Sequence, residues 1–119
     1  MGLLFDTGHI YYAEKSQENI VKLLNRYFHR IFHVHLKDVR QNVMLKVYQQ
    51  NACFLESVKA GVFTVPGDGV INFLPIFNSL REKKYRGWVV IEAEQDPEIA
   101  NPLHYAIQGR KYVQKFLGV

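Results

Sequence analysis

The chain has 119 residues, 48% hydrophobic and 22% charged, a composition of ordinary water-soluble globular domains rather than of disordered or fibrous chains. Its net charge is +4, with the Lys and Arg scattered rather than gathered into a phosphate-tracking stripe, so neither nucleic acid nor a membrane surface is expected as a partner. Cys53 is the only cysteine, which excludes an intramolecular disulfide, a cysteine zinc site and a CxxC redox pair. With no apolar run of about 18 residues, this points to a reducing, cytoplasmic setting.

Leu3-Leu4-Phe5-Asp6 is a short apolar run closed by a carboxylate, and Thr7-Gly8-His9 follows it as a loop. Ser16 is placed to cap a helix whose apolar residues, Ile20, Val21, Leu23, Leu24, Tyr27 and Phe28, recur at helical spacing. Ile31 to Leu36 reads as a second strand. Alternation puts Ile31, His33 and His35 on one face, and Phe32, Val34 and Leu36 on the other. A helical region is expected from about Val43 to Val58, with Gly61 just past its end. Val65-Pro66-Gly67-Asp68-Gly69-Val70 is dense in turn formers, and Asp68 is expected to stabilise that glycine-flanked turn. Asn72 is expected to cap a helix carrying Phe73, Leu74, Ile76, Phe77 and Leu80. Lys83-Lys84-Tyr85-Arg86 is a polar turn before a third strand, Trp88 to Glu92. Asn101-Pro102 then opens the last helix as N-cap and first helical residue, with Gly118 near its end.

The pattern is strand then helix three times, with a helix-and-loop excursion before the third strand. Such alternation specifies an α/β fold with a parallel sheet and helical crossovers. In a parallel sheet the strand C-termini share one rim, where α/β folds place their chemistry. Asp6, His35 and Glu92 close the three strands. A carboxylate, an imidazole and a carboxylate on one rim make a mixed nitrogen and oxygen donor set for a divalent ion such as Mn, Co, Zn or Mg. The competing explanation is three unrelated polar strand ends, each hydrogen-bonded to a loop. His33 and His35 carry the same two readings, as metal-site imidazoles or as histidines hydrogen-bonded for structure.

Several motifs add a resemblance. Leu4-Phe5-Asp6-Thr7-Gly8-His9 and His33-Val34-His35-Leu36-Lys37-Asp38-Val39-Arg40 resemble the xylose-isomerase-like TIM-barrel superfamily of sugar isomerases, epimerases and dehydratases. Phe63 to Gly69 and Arg86 to Pro97 narrow the likeness to the inosose dehydratase family of inositol catabolism, and Asn101-Pro102-Leu103 with the last helix fits as well. The resemblance covers essentially the whole chain. It implies one partial domain over residues 1–119, the C-terminal three strand-helix units of a (β/α)8 barrel. It also implies that Asp6, His35 and Glu92 are the last three of four metal ligands, the first being a Glu upstream of Met1. The resemblance makes Mn or Co the expected ion. By the same likeness His9 and Arg40 contact substrate. The chemistry of a dehydration suits Glu92 as ligand and base together, with His9 as proton donor. Nothing firm is implied for Lys37, Asp38, Asp68 or Glu94.

The implied activity is a hydro-lyase acting on 2-keto-myo-inositol, inactive unless the remainder of the barrel completes it. A sugar isomerase or epimerase with the same rim is the rival enzyme. A non-catalytic chain that self-associates through its strand edges, or pairs with an N-terminal half, is the rival from another class. A base-excision endonuclease on the same fold is disfavoured, since the chain has five histidines and His29 and His104 fall on expected helices away from the rim.

Overall fold

In a computed structural model that describes residues 1–119, the chain runs β1 (Leu3–Asp6), α1 (Thr7–Glu14), α2 (Gln17–Tyr27), a 3-10 turn (Phe28–Arg30), β2 (Ile31–Leu36), β3 (Asp38–Val39), α3 (Gln41–Gln49), α4 (Phe54–Lys59), β4 (Phe63–Thr64), α5 (Leu74–Glu82), β5 (Trp88–Ile91) and α6 (Pro102–Leu117). Strands β1, β2 and β5 form one parallel sheet in the order β1-β2-β5, as the alternation predicts. Strands β3 and β4 form a separate antiparallel pair, too short for its apolar alternation to show in the sequence.

Helix starts follow local side-chain chemistry. Ser16 accepts from the Asn19 amide at 3.2 Å, and Asn101 accepts from the His104 amide at 3.0 Å, satisfying N–H groups that the first turn cannot pair internally. The core lies between the sheet and its helices. Val34 and Leu36 are fully buried and cluster with Ile20 and Leu24 of α2, Ile76 and Phe77 of α5, and Val113 of α6. Burying side chains of this size stabilises by about 1.5–3 kcal/mol each. Leu4, Phe32 and Trp88, one on each strand of the main sheet, stay more than half exposed.

Four expectations need correction. Thr7-Gly8-His9 is the first turn of α1 rather than a loop, because Asp6 acts as its N-cap. The helical region from Val43 to Val58 is broken into α3 and α4. Asn51 takes a left-handed conformation (φ 50°), and Glu56 reaches back to accept from the Cys53 amide at 2.8 Å, so a new helix starts there. Asn72 stands one residue outside the N-cap of α5, which is Phe73, although its side chain accepts from the Leu74 amide at 3.1 Å. The glycine-flanked turn is held by Asp38 instead of Asp68. The buried Asp38 carboxylate accepts from the Val39, Gly67, Gly69 and Ile71 amides at 2.8–3.1 Å. Burial pushes its pKa up, while those four amides favour the charged form.

Candidate metal centre

The sheet register assembles the site. Asp6 pairs with His35 across β1 and β2, and His35 pairs with Val90 across β2 and β5. Paired residues of parallel neighbours share a face, and Glu92 lies two residues beyond Val90, so all three functional groups project from one side. The Glu92 amide continues the ladder by donating to the Leu36 carbonyl at 3.1 Å, which fixes Glu92 just past β5.

The two Asp6 oxygens divide their work. Oδ1 accepts from the His9 amide at 2.9 Å and caps α1, while Oδ2 lies 3.8 Å from His35 Nδ1. His35 Nδ1 is 2.5 Å from Glu92 Oε2, so imidazole and carboxylate are in direct contact. One donor atom from each of Asp6, His35 and Glu92 falls within 4.8 Å of the others. Ligands bound at about 2.0–2.3 Å around one divalent ion have separations of that size, so the set fits a metal. Asp6 is buried, and His35 and Glu92 are partly buried. His33 packs edge-on against His35, ring centroids 5.8 Å apart, on the same side of the sheet.

His9 joins the group from α1. Its Nε2 lies 3.9 Å from Asp6 Oδ2 and 3.3 Å from Glu94 Oε2, with Phe54 stacked on the ring at 5.6 Å. Arg40 does not join it. Its guanidinium donates to the Gly61 and Phe63 carbonyls, Thr64, Asp68 and Tyr105 at 2.8–3.2 Å, tying β4 to α6. The largest cavity, about 500 Å³ and lined by Leu80, Trp88 and Leu117 among others, touches none of the cluster residues.

Two residues to which the sequence reading assigned no role, Lys37 and Glu94, join the cluster. The Lys37 side chain is 1% exposed, and its ammonium lies 3.5 Å from Asp6 Oδ2, 3.4 Å from Glu92 Oε1 and 3.0 Å from His9 Nε2, with Glu94 as its tightest partner. Burial alone lowers the Lys37 pKa, but the Glu94 hydrogen bond and the Asp6 and Glu92 charges outweigh it and raise the value. For Glu92 burial is the largest influence and raises the pKa, yet Lys37 and His35 together hold it below the ordinary value. The signal for both missed residues was period two: Lys37 continues the His33/His35 face, and Glu94 follows Glu92 by two.

The sequence matches the family described as "Xylose isomerase-like TIM barrel" over residues 1–116. It is 57% identical over 117 residues to an inosose dehydratase of Histophilus somni, covering 98% of this chain and 39% of that protein. It is 58% identical over 113 residues to one from Clostridium botulinum, covering 95% and 37%. A Klebsiella pneumoniae relative of the same name is 51% identical over 117 residues. The chain thus spans about 39% of the length of the first relatives, and its three parallel strands are a partial barrel.

Proposed function

The chain belongs to the xylose isomerase-like TIM barrel family, and from that membership we propose that it supplies the C-terminal, metal-binding rim of an inosose dehydratase. The single observation that carries this is the convergence of Asp6, His35 and Glu92 in a sequence more than half identical to enzymes of that name. Following the family resemblance we assign Mn or Co to the site; one imidazole and two carboxylates by themselves suit Mn, Co, Zn or Mg.

Dehydration of 2-keto-myo-inositol removes a proton from the carbon beside the ketone and expels the β-hydroxyl as water, leaving a carbon–carbon double bond. Asp6, His35 and Glu92 would hold a divalent ion, which when bound would supply Lewis-acid stabilisation of the negative charge on the ketone oxygen. Glu92, ionised at neutral pH and partly exposed, takes the proton. His9, whose side chain is 44% exposed on the same rim, gives a proton to the departing hydroxyl. Arg40 acts on substrate only insofar as its hydrogen bonds to β4 and α6 leave a donor free. The reaction also requires strands that extend the sheet beyond β1 and β5, its two edges. The expected setting is the cytoplasm, and no helix is long and apolar enough to cross a membrane.

The test is turnover by the chain joined to the strands that complete the barrel, offered 2-keto-myo-inositol and a panel of ketoses. Formation of the dehydrated product with Mn or Co, lost in His35→Ala, supports the proposal. Turnover of ketoses without turnover of the inosose would assign it to an isomerase or epimerase instead.

Leu4 and Trp88, exposed on the two edge strands, favour a second reading for the chain by itself, a non-catalytic association through sheet edges. Activity in a stable monomer of the chain alone would exclude it.

A further inference from the structure

Lysine is rarely buried unless paired, and Lys37 is among the largest fully buried side chains of the molecule. Three separate features place its amine. Thr7, itself fully buried, donates its hydroxyl to the Lys37 carbonyl at 2.7 Å and accepts from the Lys37 amide at 2.9 Å, which fixes the backbone. Gly8 leaves room for the stem, since a Cβ at that position would lie 2.6 Å from Lys37 Cγ. Glu94 adopts a left-handed backbone (φ 51°), costly for a residue with a side chain, and in that conformation its carboxylate meets the ammonium.

The charges explain this investment. Asp6, Glu92 and Glu94 bring three carboxylates to one small volume, and Lys37 is the only permanent cation that touches them. Three carboxylates against one ammonium leave two negative charges, which is what one divalent ion offsets. We infer that Lys37 is the resident counter-cation of this cluster, holding the carboxylates together while no ion is bound and lowering the affinity with which Asp6, His35 and Glu92 take a divalent ion. The inference rests on the reading of those three residues as a metal site. Lys37 and the ion compete for the same carboxylates: the ammonium faces the Asp6 oxygen that also faces His35, and the second oxygen of Glu92. Glu94 draws the ammonium toward His9 and eases that competition.

The test uses the purified chain stripped with a chelator and titrated with Mn2+ alone, alongside thermal unfolding without the ion. Lys37→Met removes the charge at similar volume. It is expected to bind Mn2+ at least about fivefold more tightly, because a unit positive charge within contact range is gone. It is also expected to melt lower than the parent without ion and to regain the difference with Mn2+. Glu94→Gln, at a partly exposed position, is expected to bind Mn2+ at least about threefold more weakly, since the ammonium falls back on Asp6 and Glu92. Affinities for both variants within about twofold of the parent would overturn the inference, as would weaker binding by Lys37→Met, which would make the lysine a shaper of the ligands. If Lys37→Met does not fold, Glu94→Gln decides alone. If the parent binds no Mn2+, the metal reading fails separately. The ion-free melting then decides between roles. Recovery in Lys37→Met/Glu94→Gln relative to Lys37→Met supports a charge role, and equal instability of the two shows that the stem only packs.

Discussion

Thr7 and Gly8 show how single residues are committed to one neighbour. The Thr7 hydroxyl bridges the amide and carbonyl of Lys37 in a buried setting, so Thr7→Val strands both groups. The expected loss is about 1–3 kcal/mol of unfolding free energy, measured in denaturant. Gly8→Ala drives a methyl into the lysine stem, where the nearest atoms lie 2.6–2.9 Å from the new Cβ. Overpacking of this kind costs about 1–3 kcal/mol. A stability equal to the parent's would mean that the stem has another path. His35→Ala, in contrast, removes a partly exposed rim group and is expected to change stability little while abolishing ion binding.

At the scale of elements, the Arg40–Asp68 pair links the end of β3, β4 and α6. Asp68 accepts from Arg40 at 2.8 Å, from Thr64 at 2.6 Å and from Gln108 at 3.1 Å. Burial raises its pKa, but those hydrogen bonds and the guanidinium charge outweigh it, so the folded value lies below the ordinary one. Its contribution to stability is therefore complete above the unfolded value of about 4 and is lost as pH falls through the folded value. Acid unfolding of Asp68→Asn should lack that component, with a shallower loss of stability below about pH 4 than the parent. An unchanged slope would show that the pair is not coupled to folding.

Much of this level was legible in the sequence, because the signals are local. Ser16 and Asn101 cap the helices they precede, and apolar alternation marks the three strands. The rim position of Asp6, His35 and Glu92 followed from strand ends alone. What stayed hidden depends on contacts between distant segments. Lys37 looks like a surface residue until Glu94, 57 positions later, folds against it. Asp68 looks like the turn-former of its own loop, while Asp38, 29 positions before Gly67, does that work.

For the molecule as a whole, the parallel sheet ends at β1 and β5 with one edge of each unpaired, and Trp88 is 73% exposed on one of them. Such edges pair with other strands or with each other. Sedimentation of the chain by itself is expected to show concentration-dependent association, reduced by Trp88→Lys; a monomer at all concentrations would contradict this. The central claim, that the three strand ends make one metal site, is tested most directly by anomalous scattering from crystals of the chain soaked in Mn2+. One peak is expected about 2.0–2.3 Å from Asp6 Oδ2, His35 Nδ1 and a Glu92 oxygen. A peak elsewhere, or none with the three side chains diverging to opposite faces of the sheet, would contradict it.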